Sequence, residues 1–552
     1  MIKLRLLLVL FVVGYVLVYV KLFYLQTFNS LSSNANYVKT EKIQPSRGKI
    51  SDRHLLPLAV NQIKYRLYVE PKHIGDKEQL VQRLAPSLSL SEASLEARID
   101  MSKNWVSVAA GISPEMRRQI MKLKLNGVGF GEEPDRFYPE ASLSAHLLGF
   151  VGKNAAGGAV GYFGVEGYYD KELTGLGGVV RSEQDLLGRP IFLGIQEKID
   201  AENGRDLVLT IDNSVQAIIK GRLKNAMESY QAQQGCVIVV DPNNLEVLGL
   251  SCLPDFDPTT YYQFDEALYK NPAISNLYEP GSTFKPMVVA AALSDKAIKP
   301  NDTFEEAGPV TIGEYNIRTW DDKYEGKVSV TRILEKSSNV GMVAIGARLG
   351  NQKLYQALEK YGFGSPTGID LQGEVGGYLK PKNQWYPIDF ATATFGQGIA
   401  VTPIQMVKAF ASIINGGNLF QPHVVKKLVS DHDEQTIPVK SLGRSVDAKT
   451  SEIIKRMLEA TVNNGEVHWA KPAGYRIGGK TGTAQIAIKG HYDASKTIAS
   501  FIGFVPVDQP KFLVLTILWE PKASQWGSET AAPLFFDIAK DLIVYYNISP
   551  DE

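Results

Sequence analysis

An apolar run near the start of the chain most constrains the fold. Residues 6–20 read LLLVLFVVGYVLVYV without a polar interruption, and LFYL follows Lys21. A helix of about 20 residues is about 30 Å long, which matches the hydrocarbon core of a bilayer. Residues 6–25 are therefore predicted to form a transmembrane signal-anchor helix, preceded by a short cytoplasmic tail at residues 1–5.

The charges beside this run predict its orientation. Lys3 and Arg5 favour a cytoplasmic N-terminus by the positive-inside rule. A cleaved signal peptide is the alternative, with a weak cleavage site at Ser33-Asn34-Ala35 that lies well beyond the apolar run. No later segment is long and apolar enough to return through the membrane. We therefore expect a single-pass protein of the cytoplasmic membrane, with the remaining chain on the extracytoplasmic or periplasmic side.

Composition indicates globular domains and excludes some partners. The chain has 552 residues, 44% hydrophobic and 21% charged, enough for two or three domains. Its 59 basic and 59 acidic residues give a net charge of zero, so it lacks the basic surplus of a nucleic-acid-binding protein. Seven scattered histidines and two cysteines show no metal-ligand spacing. No nucleic acid, metal or cofactor is expected.

The region of residues 26–204 carries no convincing set of nucleophile and base. Short strands are predicted at residues 42–50 and 65–69, and a helix interrupted by turns at residues 95–120. Glycine-rich loops follow at residues 153–178.

The region of residues 205–552 combines strands with a helical insertion. The predicted elements are a strand at 207–212, a helix to 232, a hairpin at 236–240 and 246–252, a helix-rich middle at 290–417, strands at 480–487, 497–507 and 511–521, and a final helix at 531–546. Because strands from both ends flank the helices, one antiparallel sheet with helices on its faces is expected, which is an α+β fold.

The two cysteines lie on the two arms of the predicted hairpin. Cys236 and Cys252 fall opposite each other, or nearly so, if the arms pair around the DPNN turn. An oxidising exterior would permit a disulfide between them. Two buried thiols in a core sheet are the alternative, and both remain open at this point.

Ser282 and Lys285 form the first motif with chemical potential. They stand three residues apart at the mouth of an apolar helix, so they share one face, and Ser282 lies at the positive end of the helix dipole. Lys285 could accept the serine proton if burial or a second cation lowers its pKa. A second S-x-x-K, at residues 46–49, has no apolar helix behind it. The tetrapeptide alone is therefore a weak signal.

Ser337-Ser338-Asn339 is the second motif. Helical patterns flank it, which predicts a tight turn between two helices. Ser337 could relay a proton, and Asn339 offers a donor and an acceptor to a substrate amide. A polar turn or a helix cap is the ordinary alternative.

The third motif is Lys480-Thr481-Gly482-Thr483. The ammonium and hydroxyls could hold a substrate carboxylate, and Gly482 would let a peptide lie along the strand. A phosphate-binding loop is the alternative, but it requires a following helix, and residues 485–487 continue as strand.

The three motifs in this order carry a family resemblance. S-x-x-K, a Ser-x-Asn motif and K-T-G together are the signature of penicillin-binding proteins and class A β-lactamases. Nearly the whole chain resembles a class B penicillin-binding protein, most like the division-specific FtsI type, with the elongation type second. Further matching segments are residues 47–53, 57–59, 136–139, 145–147, 164–166, 181–189, 396–398 and 402–405.

The resemblance implies an architecture and a reaction. Residues 26–204 would be a pedestal or dimerisation-like domain, and residues 205–552 a penicillin-binding, serine β-lactamase-like transpeptidase domain. Lys285, kept neutral partly by Lys480, would take the Ser282 proton, and Ser282 would attack the penultimate D-alanine of a peptidoglycan stem peptide. Ser337 would pass the proton to the departing D-alanine, and a β-lactam would stall the acyl-enzyme.

Further implications concern recognition and partners. Asn339, Lys480, Thr481, Gly482 and Thr483 would bind substrate, and the N–H groups of Ser282 and Thr483 would form the oxyanion hole. Residues 26–200 show no acidic motif of a glycosyltransferase. The resemblance therefore implies a separate polytopic SEDS-type (FtsW-like) polymerase and other division proteins as partners.

One segment departs from the family pattern. The early motif usually continues Asp-Arg-x-Gly, but here it is Asp52-Arg53-His54-Leu55. Leucine adopts a positive φ poorly. A rearranged turn is therefore expected before Pro57.

Two other functions remain as alternatives. A serine β-lactamase or β-lactam sensor would use the same motifs, and by sequence order Glu374 is a candidate for activating its deacylating water. A catalytically inactive division scaffold is the second alternative. Since all three motifs are complete, the enzyme is favoured.

Overall fold

The computed structural model describes residues 2–28, 38–155, 157–183, 191, 196–488 and 491–552. The chain divides into two compact units, one made of Met1–Gly48 and Thr174–Arg205 and the other of Lys49–Leu173 and Asp206–Glu552. The weak cleavage site at residues 33–35 and most of the division-type segment, residues 184–189, lie outside the described residues.

The described residues form α-helices at the following positions: α1 (Ile2–Phe28), α2 (Lys77–Leu88), α3 (Glu92–Arg98), α4 (Pro114–Lys122), α5 (Ala145–Leu148), α6 (Gly164–Tyr168), α7 (Asp170–Thr174), α8 (Asn213–Tyr230), α9 (Pro272–Ser275), α10 (Lys285–Ser294), α11 (Val330–Glu335), α12 (Asn339–Leu349), α13 (Asn351–Tyr361), α14 (Pro387–Ala393), α15 (Pro403–Ile414), α16 (Ala448–Asn464) and α17 (Ala531–Tyr545).

The strands in the same residues are β1 (Val38–Ile43), β2 (Ile50–Ser51), β3 (Pro57–Val69), β4 (Val106–Ile112), β5 (Val128–Phe137), β6 (Phe150–Lys153), β7 (Ala159–Tyr162), β8 (Gly178–Glu183), β9 (Gln196–Ile199), β10 (Asp206–Leu209), β11 (Gln234–Val240), β12 (Val247–Leu253), β13 (Thr303–Glu306), β14 (Val310–Ile312), β15 (Tyr315–Ile317), β16 (Gly326–Ser329), β17 (Asn418–Phe420), β18 (Val425–Val429), β19 (Glu434–Thr436), β20 (Ser441–Arg444), β21 (Gly478–Ile488), β22 (His491–Val505) and β23 (Phe512–Trp519).

The first unit contains the apolar helix predicted from the sequence. Within α1, the 23 residues Arg5–Thr27 are long and apolar enough to cross a membrane, and they are exposed in the isolated chain. A helix this apolar, with its whole surface uncovered, belongs in a bilayer rather than in water. The same unit holds a three-stranded antiparallel sheet in the order β1-β8-β9.

In the second unit, β3 organises the part before residue 173. It pairs antiparallel with β4 and with β5, and helices α2, α3 and α4 pack over these strands around Leu67, Val69 and Leu84. The prediction of interrupted helix at residues 95–120 is wrong in its middle, because β4 lies there. Val106 and Val108 are buried while Ser107 is exposed, which is the two-residue period of a strand.

The turn before Pro57 corrects a second expectation. Leu55 adopts φ +67°, so leucine does take the left-handed conformation here. Its side chain is exposed, and the Asp52 carboxylate accepts the N–H groups of His54 and Leu56. The left-handed conformation of Leu55 costs about 1–2 kcal/mol. Because the leucine side chain is exposed, it does not disturb the packing of the core.

The region of residues 205–552 has a five-stranded antiparallel sheet at its core, which confirms the predicted α+β architecture. Its strand order is β12-β11-β23-β22-β21, and the predicted hairpin and the three late strands are all members. Helices α8 and α17 cover one face, where Val237 and Phe501 are buried. Ile238 and Ile502 point to the opposite face, which packs against the larger core.

The cysteine pair lies at the edge of this sheet. Cys236 is directly opposite Cys252, with the Cα atoms 4.1 Å apart, and the two sulfurs are joined as a disulfide. Of the two alternatives left open by the sequence, the structure has the bridge.

Candidate active site

Ser282 and Lys285 occupy the entrance of helix α10. A single 3-10 turn, Gly281–Phe284, leads directly into the helix. Gly281 adopts φ +56° and donates its N–H to the carbonyl of Gly396, so the turn is fixed against the Gly-Gln-Gly segment at residues 396–398. Ser282 is partly exposed in a cleft, whereas Lys285 is completely buried one turn further on.

Lys285 is the centre of a buried hydrogen-bond network. Its Nζ donates to the carbonyl oxygen of Ser337 and lies 3.2 Å from Ser337 Oγ and 2.8 Å from Asn339 Oδ1. Burial lowers the pKa of Lys285 well below its ordinary value, and the nearby charge of Lys480 lowers it further. Glu466 and Glu306 oppose this shift without cancelling it. The buried ammonium of Lys285 therefore gives up its proton more readily than that of an exposed lysine.

The Ser282 hydroxyl is not committed to a partner. Among the described residues, no hydrogen bond joins Ser282 Oγ to Lys285 or to any other group. Ser282 Oγ and Lys285 Nζ therefore share no hydrogen bond in the described structure. A hydrogen bond between nucleophile and base often forms only when substrate binds.

The Ser-Ser-Asn segment forms the tight turn between α11 and α12 that the sequence predicts. Ser337 has φ +60°, a strained conformation for a residue with a side chain. Ser338 holds the turn by accepting the N–H of Gly341 at 2.9 Å and donating to the buried Glu306. The turn thus presents both the carbonyl and the hydroxyl of Ser337 to Lys285.

Asn339 is engaged at both ends of its amide. Its Oδ1 accepts from Lys285, and its Nδ2 donates to the carbonyl of Arg318 at 3.0 Å. These contacts orient the lysine, whereas the sequence suggested a donor and acceptor for a substrate amide.

Lys480 and Thr481 lie on β21, which is the edge strand of the five-stranded sheet. Lys480 is buried, and its Nζ donates to Thr481 Oγ1 at 2.9 Å. Burial lowers the pKa of Lys480 from 10.5 to about 8. Because β21 has no neighbour on its outer side among the described strands, an extended peptide could add there by main-chain hydrogen bonds.

Gly482 has a packing reason that the sequence did not reveal. A Cβ at this position would lie 2.5 Å from Ser500 Oγ and 2.8 Å from Thr283 Cγ2. Its absence lets β21 press against the turn that carries Ser282. The neighbouring Thr483 accepts the N–H of Gly527 at 3.0 Å and lines the same cleft as Ser282.

The cleft brings together most of the predicted residues and several unpredicted ones. Of the predicted set, Ser282, Ser337, Asn339, Thr481 and Thr483 line it, and Lys285 and Lys480 are buried behind them. The residues that sequence reasoning did not assign to the site are Trp320, Phe395, Gln397, Glu466 and Trp526. Only Gln397 had a signal, since it lies in one of the family-like segments.

Two of these residues form an aromatic pair. The rings of Trp320 and Trp526 meet edge to face with centroids 5.4 Å apart, and Trp320 is half exposed. They come from loops more than 200 residues apart, so no local pattern could have joined them. An apolar surface beside the nucleophile is suited to the aliphatic parts of a peptide substrate.

Glu374, the candidate for activating a deacylating water, is used elsewhere. Its carboxylate accepts the N–H groups of Thr367 at 2.6 Å and Gly368 at 2.9 Å, so it stabilises a turn. It is not among the residues that line the cleft.

Comparison with known proteins agrees with this architecture. Residues 235–540 match the family described as penicillin binding protein transpeptidase domain, and residues 42–209 match the penicillin-binding protein dimerisation domain. The chain belongs to the penicillin-binding proteins, and the pairing of these two domains is that of class B.

Similar individual proteins point to the same class. The chain is 34% identical to stage V sporulation protein D of Bacillus subtilis, over 92% of this chain and 79% of that protein. It is 31% identical to peptidoglycan D,D-transpeptidase FtsI of Escherichia coli K12, over 93% and 86% of the two chains. A peptidoglycan synthetase structure from Bifidobacterium adolescentis superposes with a TM-score of 0.76 at 26% identity, covering 93% of this chain and 98% of that one.

Proposed function

We propose that this chain is a peptidoglycan D,D-transpeptidase of the FtsI type that crosslinks stem peptides through an acyl-Ser282 intermediate during septal wall synthesis. The observation that carries this proposal is the pairing of an uncommitted serine hydroxyl in an open cleft with a fully buried lysine, of lowered pKa, one turn behind it. That pairing is what an activated serine nucleophile needs.

Lys285 is the base in this proposal. A neutral amine has two N–H bonds and one lone pair. The Ser337 carbonyl and Asn339 Oδ1 accept the two N–H bonds, which leaves the lone pair for a hydroxyl proton. Ser337 Oγ, 3.2 Å from the same nitrogen, is placed to carry the proton onward to the departing D-alanine.

The strand side of the cleft binds the substrate. The terminal carboxylate of the stem peptide would lie against Lys480 and Thr481, and its backbone would extend along β21. The carbonyl under attack would then face the N–H groups of Ser282 and Thr483, which support an oxyanion hole. An amine from a neighbouring stem peptide resolves the acyl-enzyme, whereas a β-lactam occupies the same place and is released slowly.

Helix α1 anchors the enzyme, with residues 1–5 on the cytoplasmic side and the catalytic region outside. Residues 26–204 form the pedestal and residues 205–552 the transpeptidase domain. A SEDS-type polymerase of the FtsW kind would supply the glycan strands, and other division proteins are further expected partners. Lys3 and Arg5, which precede the apolar run, support this orientation.

A β-lactamase is the second candidate for this set of motifs. Glu374 holds a turn through Thr367 and Gly368, which argues against it as the activator of a deacylating water. Labelled penicillin distinguishes the two functions. A transpeptidase retains the label on the protein, whereas a β-lactamase hydrolyses it repeatedly and retains none.

The direct test measures crosslinking. Purified full-length protein, incubated with nascent glycan strands carrying pentapeptide stems, should release D-alanine and form crosslinked dimers. Ser282→Ala should do neither while keeping the thermal stability of the wild type. A folded Ser282→Ala variant that still forms dimers would overturn the assignment, and crosslinking by the wild type alone would exclude an inactive scaffold.

A further inference from the structure

Glu466 stands in the cleft without a role in the proposed mechanism. It follows helix α16 in the loop before β21, is partly exposed, and lines the cleft together with Ser282 and Thr481. Its Oε2 accepts the hydroxyl proton of Thr481 at 3.0 Å. An acidic side chain is therefore bonded to a group that the transpeptidase proposal assigns to the substrate carboxylate.

The Thr481 hydroxyl can donate to only one carboxylate at a time. A hydroxyl has one proton to donate. Thr481 Oγ1 already accepts from Lys480 Nζ at 2.9 Å, so its proton goes to Glu466. A second carboxylate that arrives in the cleft cannot receive the same proton until Glu466 releases it.

Charge adds to this competition. Glu466 is near enough to both lysines to raise the pKa of Lys285 and of Lys480 against the effect of burial. Two carboxylates beside one ammonium repel each other, particularly where burial reduces the screening by water.

We propose that Glu466 is an internal competitor for the carboxylate subsite, occupying Thr481 in the free enzyme and weakening the binding of any anionic ligand there. This inference rests on the proposed function, because it concerns the same cleft. The ligands affected are the terminal carboxylate of a stem peptide and the equivalent carboxylate of a penicillin. A ligand must therefore make enough other contacts in the cleft to offset the free energy of displacing Glu466 from Thr481.

The test separates binding from chemistry. Acylation of the full-length protein in detergent by benzylpenicillin is followed by stopped flow over a range of concentrations at pH 6.5, below the pKa of Lys480 of about 8. The half-saturating concentration reports binding, and the limiting rate reports attack by Ser282. If Glu466 had only a structural role, the removal of its charge would not tighten the binding of penicillin.

Glu466→Gln keeps the size of the side chain and removes its charge. The half-saturating concentration should fall about threefold to tenfold, with the limiting rate nearly unchanged. Glu466→Asp keeps the charge but withdraws it from Thr481 by one methylene. Its half-saturating concentration should lie between that of Glu466→Gln and that of the wild type. Glu452→Gln removes an exposed carboxylate from the preceding helix α16 and should match the wild type.

Opposite results overturn the inference. An unchanged or higher half-saturating concentration in a folded Glu466→Gln variant would mean that the carboxylate does not compete, and weaker binding by Glu466→Asp would mean the same. If the wild type forms a normal adduct, such results overturn this inference alone. If the wild type forms no adduct, the proposed function falls with it.

Discussion

The two walls of the cleft use similar side chains in different ways. One wall, formed by the entrance of α10 and the Ser337 turn, is called the closed wall here. In it the partners of Lys285 are Ser337 and Asn339, so its hydrogen bonds are all made within the protein. The other wall, formed by strand β21, is called the open wall. In it Lys480 donates a hydrogen bond to the hydroxyl of Thr481, which lines the cleft. The closed wall is suited to fixing the position and protonation of a base, and the open wall to binding a ligand.

The two lysines show the same contrast in charge. Burial and the neighbouring ammonium hold the pKa of Lys285 far below its ordinary value, whereas that of Lys480 falls only to about 8. Lys480 is mostly a cation near pH 7, whereas the lowered pKa of Lys285 favours its neutral form. The closed wall should therefore control the rate of acylation, and the open wall the affinity.

Removal of the nucleophile should have the largest effect. Ser282→Ala should reduce penicillin acylation by about 10⁴-fold or more, because alanine has no hydroxyl to attack the β-lactam carbonyl. Gel fluorescence with a labelled penicillin measures this. Ser46→Ala, at the exposed serine of the second S-x-x-K segment, is the matched control and should label normally.

Lys285→Arg tests whether the closed wall needs a neutral base. Arginine keeps a positive charge but cannot give up its proton, so acylation should fall by about 10³-fold or more at saturating penicillin. Normal acylation in a folded variant would show that a cation suffices at this position. It would also remove the distinction between the two lysines.

Lys480→Gln tests the open wall. With the ammonium gone, the half-saturating concentration of penicillin should rise by about 30-fold, a typical consequence of losing a charge-assisted hydrogen bond. The limiting rate should change much less. A fall confined to the limiting rate would place Lys480 in the chemistry instead of in binding.

The pH profile should separate the two lysines further. Acylation should decline at low pH as Lys285 gains a proton, and again above about pH 8 as Lys480 loses its charge. Lys480→Gln should remove the alkaline decline. It should also shift the acid decline to higher pH, because a repelling charge beside Lys285 is gone. An acid decline shifted downward would contradict this sign.

Gly482→Ala should have the smallest effect, mainly on stability. The added Cβ would press on Ser500 and Thr283, so we expect a loss of about 1–3 kcal/mol in the free energy of unfolding. Chemical denaturation measures it. Gly131→Ala is the control, since nothing lies within 4 Å of its added Cβ.

The parts predictable from sequence were those encoded locally. The apolar helix, the hairpin at Cys236 and Cys252, and the strand with Lys480 each follow from spacing within one segment. Strand β4 was missed because its neighbours read as helix, and the positive φ of Leu55 depends on hydrogen bonds made by Asp52.

The missed site residues depend on contacts between distant segments. Trp320, Trp526 and Glu466 sit in separate loops and meet only when the sheet and the helical insertion are assembled. Asn339 was identified, but its amide turned out to bind Lys285 and a backbone carbonyl. Sequence spacing indicates which residues have the right chemistry, whereas their partners are set by the tertiary structure.

Mass spectrometry of the penicillin adduct tests the central claim most directly. Full-length protein is acylated, digested and mapped for the peptide that carries the added mass. The account predicts one adduct, on Ser282 in the peptide that enters helix α10. An adduct on Ser337 or on another serine, with Ser282 unmodified, would contradict it.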